Sequence, residues 1–139
     1  MYRKILVPLD GSATAEQILP HVKELAKLTG AEITLMRAAV IQHNLVSNKA
    51  DLEVEVVAEA EKYLEEVRQR LAAEGFNVTT HVRYGHDAEE ILEHAKLDGI
   101  DLVAVCSHGL TGTGLWRLGS VSRRVVHHCN KPVLVIKAE

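Results

Sequence analysis

A glycine-rich loop stands between a short apolar run and a helical pattern in residues 101–120 of this 139-residue chain. The apolar run, residues 102–105, has the length of a buried strand. The loop contains four glycines, of which Gly109 is the first and Gly119 the last, and Ser120 opens the helical pattern. Glycine lets a backbone approach an anion closely, and the free N–H groups of a helix N-terminus attract negative charge. These residues therefore indicate a phosphate-binding site.

Other phosphate-binding motifs match this loop less well. No Gly-Lys-Ser or Gly-Lys-Thr follows the apolar run, so the loop is not a P-loop of the Walker type. Gly112 and Gly114 could begin a dinucleotide fingerprint, but Arg117 stands where its third glycine is needed. The remaining alternative is a glycine-rich surface loop with an ordinary serine cap. The spacing and the context of the glycines favour the anion site.

A carboxylate follows the first apolar run of the chain. Residues 5–7 read Ile-Leu-Val, as in a strand covered on both faces of a parallel sheet, and Asp10, Gly11 and Ser12 come soon after. One interpretation makes Asp10 an acceptor for a ribose hydroxyl. The other makes it a turn residue that bonds its own backbone. We favour the ligand-binding interpretation.

No catalytic set can be assembled from the polar residues. Ser107 and His108 are sequence neighbours, and nothing in the pattern indicates that their side chains meet as nucleophile and base. His127, His128 and Cys129 resemble a metal cluster, but adjacent residues on a helix point in different directions and cannot all bind one ion. We therefore predict a binding protein without dedicated enzyme activity and without a metal cluster of its own.

Composition narrows the class of protein. Apolar residues make up 47% of the chain and charged residues 25%, as in a soluble globular domain, and no apolar run approaches the ~18 residues of a membrane span. Without a signal peptide or a disulfide framework, the sequence predicts a cytoplasmic protein. The net charge of −3 makes nucleic acid a poor candidate partner. Residues 101–139 nevertheless carry five Lys/Arg against two Asp/Glu, which suits an anionic ligand there.

Strand and helix patterns alternate along the chain. Strands are expected at residues 2–9, 31–39, 76–84, 102–105 and 133–136, with helices between them, the longest over about 49–74. This alternation predicts one α/β domain over residues 1–139, a three-layer sandwich with a five-stranded parallel sheet and helices on both faces. The third strand mixes valines with threonines and charges, so we expect it at an edge.

Three local features carry expectations of their own. Pro20 lies inside the first helical pattern and predicts a kink. Asp87, with Glu90 three residues later, predicts a capping box at the start of a helix that ends at Asp98 and Gly99. Residues 40–48 are polar and irregular, and we expect a mobile connection there.

Several segments together resemble the universal stress protein family. They are residues 5–12 (ILVPLDGS), 107–109 (SHG), 118–122 (LGSVS) and 131–136 (KPVLVI). Gly109, nine residues and then Gly119-Ser120 also resemble the second half of the family's nucleotide-binding signature, Gly-x-x-Gly, nine residues, Gly-Ser/Thr. The first glycine of that signature is Cys106 in this chain. The resemblance spans the whole chain and implies the strand order 3-2-1-4-5. Asp10 and Cys106 would then meet at a switch point.

The resemblance also implies a ligand and a set of binding residues. The ligand would be ATP, or the related ADP or AMP, with Mg²⁺, and the protein would act as a sensor or regulatory partner in the stress response. The implied binding residues are Pro8, Leu9, Asp10, Ala38, Cys106, Ser107, His108, Gly109, Gly119, Ser120 and Val121. A homodimer would form through the last strand, at Val133, Leu134, Val135 and Ile136.

Two alternatives to a nucleotide-binding regulator remain. The first is a dimeric interaction module of the same fold that binds no nucleotide, as part of the family does. The second is a nucleotide hydrolase or transferase of a related α/β superfamily. The second fits less well, because Asp10-Gly11-Ser12 stands where such enzymes carry a Ser-Gly-Gly pyrophosphate loop.

Overall fold

The computed structural model describes residues 1–39, 49–97, 99–107 and 119–139, with the side chains of 49–52 excepted. Its strands are β1 (Lys4–Pro8), β2 (Glu32–Ala39), β3 (Val78–Tyr84), β4 (Leu102–Ser107) and β5 (Val133–Lys137). Its helices are α1 (Leu19–Thr29), α2 (Lys49–Ala73), α3 (Asp87–Ala95) and α4 (Ser120–His128), and a 3-10 turn, Ala15–Ile18, precedes α1. In the described residues no helix is both long and apolar enough to cross a membrane.

The five strands form one parallel sheet in the order β3-β2-β1-β4-β5. This confirms the predicted α/β fold and the predicted strand order, with β3 at one edge and β5 at the other. The central strand β1 pairs with β2 on one side and with β4 on the other, so the chain reverses its direction of winding between β1 and β4. Open α/β sheets bind ligands at the carboxyl ends of the strands at such a point.

Helices cover the sheet on both faces because successive strand residues point to opposite sides. Val7 packs into a core that contains Val22 of α1 and Leu64 of α2. Its neighbour Leu6 packs into a second core, which contains Ile91 of α3 and residues of α4. Burial on both faces explains the uninterrupted apolar runs of the inner strands.

The first helical segment differs from the prediction at Pro20. The chain makes a 3-10 turn over Ala15–Ile18, and α1 then begins at Leu19 with Pro20 in its first turn. The turn and α1 follow each other without a break, and Ile18 and Leu19 both have right-handed helical backbone angles. Pro20, which has no N–H to donate, therefore lies where the chain changes from 3-10 to α-helix and not in the middle of one continuous α-helix. The kink itself stays a prediction. The end of α1 agrees with the sequence, because Gly30 caps it with φ 75°.

The start of α3 also differs from the prediction. His86 is the N-cap residue, and Asp87 lies inside the helix, where its Oδ1 accepts from the N–H of Ala88 at 2.7 Å. The Glu90 carboxylate accepts instead from Nε of Arg83 at 2.7 Å. The predicted capping box is therefore wrong. The helix ends at Ala95, before the predicted end, and residues 40–48 and Asp98 lie outside the described residues.

Candidate functional site

A cavity of about 350 Å³ opens at the carboxyl ends of β1, β2 and β4, where the winding reverses. Its size lies at the lower end of the range for small-molecule sites, roughly 300–1,000 Å³. Six of the eleven binding residues expected from the sequence line its wall: Pro8, Leu9, Asp10, Ala38, Cys106 and Val121. Thus the fold brings together residues from β1, β2, β4 and α4, which lie up to 113 positions apart in the chain.

The other five expected residues are distributed around this cavity or lie outside the described part of the chain. Ser107 is fully buried at the end of β4. Gly119 and Ser120 form the start of α4, next to the cavity residue Val121. His108 and Gly109 lie outside the described residues, so their predicted contacts with phosphate remain predictions.

The start of α4 is tied to the end of β4 by two hydrogen bonds. The N–H of Gly119 donates to Oγ of Ser107 at 3.3 Å, and Oγ of Ser122 donates to the carbonyl of Cys106 at 3.4 Å. The first turn of α4 contains no acidic residue. The first N–H groups of a helix have no partner within it and carry partial positive charge. The helix start next to the cavity is therefore suited to an anion.

Asp10 combines both roles considered from the sequence. Its Oδ1 accepts from the backbone N–H of Ser12 at 2.8 Å and from the Ser12 hydroxyl, and that hydroxyl in turn accepts from the N–H of Ala15 at 3.1 Å. The side chain thus forms the local turn. It is also exposed and lines the cavity, where a ligand hydroxyl can reach it.

Cys106 lies in the strand as an ordinary buried residue. It is 7% exposed and belongs to the core shared with α1 and α2, and none of the described non-glycine residues has a positive φ. Its backbone therefore does not need the freedom of glycine. Burial first, and then the negative charge of Asp10, raise the pKa of the Cys106 thiol. The thiol is consequently protonated at neutral pH and is not a nucleophile.

Replacing Cys106 by glycine is expected to tighten the binding of the nucleotide that the sequence resemblance implies by about tenfold, because a Cβ and a sulfur would leave the cavity wall. The same change empties part of the core, so the midpoint of thermal unfolding should fall. Calorimetric titration with Mg-ATP measures the affinity, and Cys106→Ala is the control that removes only the sulfur. Equal or poorer affinity in Cys106→Gly would show that this side chain does not limit binding.

Three charged residues that the sequence reasoning did not select also line the cavity. They are Arg37 near the end of β2, Glu59 on α2 and Asp87 at the start of α3. Arg37 could have been noticed in the sequence, because it is a charged residue inside the otherwise apolar run of residues 35–39. Glu59 belongs to a surface-like pattern, and Asp87 was singled out only as a helix start, so neither indicated a ligand site. In the described part of the chain, no three His, Cys, Asp or Glu side chains are grouped to hold a metal ion.

The chain belongs to the universal stress protein family, whose family model matches residues 1–137. Universal stress protein MJ0577 of Methanocaldococcus jannaschii is 32% identical over 99% of this chain and 96% of its own length. Universal stress protein YxiE of Bacillus subtilis is also 32% identical, over 99% of this chain and all of YxiE. The solved structure of MJ0577 has a TM-score of 0.79 at 34% identity and covers 100% of this chain and 98% of that one.

Two further solved structures of this fold carry adenine nucleotides. One is a universal stress protein in complex with cAMP, with a TM-score of 0.76 at 22% identity over 99% of both chains. The other is a universal stress protein family protein from Arabidopsis thaliana with AMP bound, with a TM-score of 0.73 at 18% identity over 99% of this chain and 92% of that one. At these identities the likeness to our chain shows the shared fold.

Proposed function

We propose that this universal stress protein binds ATP or a related adenine nucleotide together with Mg²⁺ and acts as a cytoplasmic sensor or regulatory partner in the stress response. The observation that carries the proposal is the cavity at the strand switch point, which has the anion-attracting start of α4 beside it. The cAMP and AMP complexes of proteins with the same fold support an adenine nucleotide as the ligand.

The cavity wall offers a matching group for each part of a nucleotide. Apolar side chains such as Ala38 and Ile91 suit the base, and the Asp10 carboxylate suits the ribose hydroxyls. Gly119 and Ser120 lie at the start of α4, where backbone N–H groups would donate hydrogen bonds to phosphate. Magnesium prefers oxygen ligands and is commonly held by phosphates with one or two carboxylates, and Glu59 and Asp87 supply further carboxylates at this wall. When bound, the ion would neutralise phosphate charge.

We propose that the protein binds the nucleotide and is not a dedicated enzyme that turns it over. The buried Cys106 thiol is protonated, and Asp10 is engaged in its own turn. At most, slow hydrolysis of ATP by water would occur in such a site. Sensing would then rest on the difference in stability between the free and the nucleotide-bound protein.

Wild-type protein provides the test of this function. Protein purified from cells is denatured, and the supernatant is analysed for released adenine nucleotide. In parallel, nucleotide-free protein is titrated with Mg-ATP in a calorimeter and heated with and without ligand. We expect saturable binding and a higher midpoint of thermal unfolding. If millimolar Mg-ATP gives no calorimetric binding heat and no rise in the midpoint of thermal unfolding, the interaction module is favoured. Cys106, which stands in the place of the signature's first glycine, also favours that alternative.

We further propose a homodimer formed through β5. This strand is an edge of the sheet, and Val133, Leu134, Val135 and Ile136 are only half-buried. An exposed apolar edge strand pairs readily with a second copy, which satisfies its free backbone groups.

Sedimentation is expected to show a species of about twice the 15.3 kDa chain mass at tens of micromolar protein. Val135→Lys should shift it towards the monomer, because a charge would enter the covered apolar face. Leu28→Lys is the control, since Leu28 is 81% exposed and belongs to α1 and not to β5. A wild-type monomer at this concentration would contradict the dimer.

A further inference from the structure

The Arg37 side chain crosses from its own strand to the end of β1. Its Cζ lies 5.3 Å from the centre of the Tyr63 ring on α2, as in a cation–π contact. A Cβ added to Gly11 would lie 3.2 Å from Nη1, 3.3 Å from Cζ and 3.4 Å from Nη2 of Arg37. These three similar distances place Gly11 against the flat face of the guanidinium. The N–H edge is therefore the part of Arg37 that remains available to a ligand.

That N–H edge is poorly satisfied by the protein. Among the described residues Arg37 donates no hydrogen bond, and its one ion pair joins Nη2 to Oε1 of Glu59 at 4.0 Å. The Glu59 side chain is 75% exposed, and such pairs contribute little. By contrast, Arg70 and Arg83 each hold a carboxylate at 2.7 Å.

Exposure makes this contrast sharper. The side chain of Arg37 is 21% exposed, against 61% for Arg70 and 33% for Arg83. Thus the most shielded of these three arginine side chains has the most distant carboxylate partner. A shielded charge without close hydrogen bonds is costly, and an acceptor in the cavity would remove that cost.

Position and charge identify the acceptor. The guanidinium lies over the turn after β1, and β1 is the neighbour of β4, whose end is tied to the start of α4. Of the described residues that line the cavity, Asp10, Glu59 and Asp87 are acidic and Arg37 alone is basic. A phosphate group is an acceptor that a planar guanidinium can bind with two parallel hydrogen bonds.

We propose that Arg37 is a ligand-binding residue that receives a phosphate group of the nucleotide on its N–H edge, while Glu59 occupies that edge in the free protein. This inference rests on the proposed nucleotide function and adds a side-chain phosphate contact to the backbone contacts expected at the start of α4. Arg37 then determines how strongly the cavity prefers a phosphorylated nucleoside to an unphosphorylated one, and Glu59 opposes that preference.

The test compares Mg-ATP with adenosine, which lacks phosphate, on nucleotide-free protein by calorimetry and by thermal shift. Arg37→Gln should lower the affinity for Mg-ATP by about ten- to a hundred-fold, the loss expected for a charge-assisted hydrogen bond, and leave adenosine nearly unchanged. Arg37→Lys should fall between Arg37→Gln and the wild type, because a lysine keeps the charge but loses the fork. Glu59→Gln should raise the affinity for Mg-ATP a few-fold, since a competing carboxylate is gone.

Arg68→Gln is the matched control, because Arg68 lies on α2 and is paired with Glu65 outside the cavity wall. The role of Arg37 would be overturned if Arg37→Gln left both affinities as they are in the wild type. It would also be overturned if the affinities for Mg-ATP and adenosine fell by the same factor, since the side chain would then act through packing with Tyr63. Wild-type protein that binds neither ligand would contradict the proposed function itself.

Discussion

Replacing Gly119 by valine is expected to lower the affinity for Mg-ATP by at least about a hundredfold. Gly119 is the N-cap of α4, and its N–H donates to Oγ of Ser107 at the end of β4. A branched side chain at this position would stand where phosphate must approach the first N–H groups of the helix. The loss combines crowding with phosphate contacts that can no longer form, so it exceeds the effect of any single polar contact.

The backbone at Gly119 makes this substitution a clean test. Its φ of −61° and ψ of 160° are open to any residue, so valine introduces no backbone strain. We therefore expect the variant to keep the thermal stability of the ligand-free wild type while it loses the calorimetric signal. Gly119→Ala should give a smaller loss. Val126→Ala, at a 41% exposed position of the same helix, should bind like the wild type. Undiminished affinity in Gly119→Val would place the phosphates elsewhere.

The elements of the fold could be predicted from the sequence because the inner strands are buried on both faces. Residues 5–7 and 102–105 are uninterrupted apolar runs for this reason. The order of the strands could not be predicted from such runs, since every inner strand presents the same pattern. The order came from the resemblance to the family, whose motifs mark the ends of β1 and β4.

The capping-box prediction for α3 failed because a residue outside the helix is the partner of Glu90. Glu90 fits a capping box in sequence, but the turn at Gly85 brings Arg83 within 2.7 Å of its carboxylate. Gly85 has φ 148°, and a Cβ there would lie 2.7 Å from Oε1 of Glu90. The ion pair thus depends on a turn that only glycine fits. A capping rule considers only the spacing of residues within the helix, so it does not take this turn into account.

The cavity was predicted only in part, because its charged wall is assembled from separate elements. Asp10 and Cys106 carried motif signals, and the structure places both at the cavity. Arg37 and Glu59 approach each other only after β2 and α2 pack together, and neither belongs to a recognisable motif. The contribution of His108 and Gly109 stays a prediction, since both lie outside the described residues.

A buried histidine in the last turn of α3, His94, accounts for the second large expected effect. His94 is 4% exposed, and its Nδ1 has no hydrogen-bond partner among the described residues. Its ring centre lies 4.7 Å from that of His81 on β3. Burial, and then the positive charges of a protonated His81, Arg83 and Lys4, lower the pKa of His94 from 6.5 to about 4. A proton on this ring would face two permanent cations without a buried acceptor at Nδ1.

Acid is therefore expected to destabilise the fold through His94. In the unfolded chain the ring titrates near 6.5, so between pH 6.5 and 4 the unfolded state binds more protons than the native state. The sign follows: the contribution of neutral His94 is fully present above pH 6.5 and is lost as the pH falls towards 4. The shift corresponds to roughly 3 kcal/mol of unfolding free energy across that window.

Urea denaturation at intervals from pH 7.5 to pH 4.5 measures this loss. In His94→Leu, a group of similar burial that cannot titrate, the free energy of unfolding should fall much less over the same range. His21→Gln, at an exposed position of α1, is the control and should follow the wild type. His81→Gln should give an intermediate slope, because burial and the cations at Arg83 and Lys4 still act on His94. If His94→Leu and the wild type lose stability in parallel, the acid sensitivity arises from the carboxylates and not from this ring.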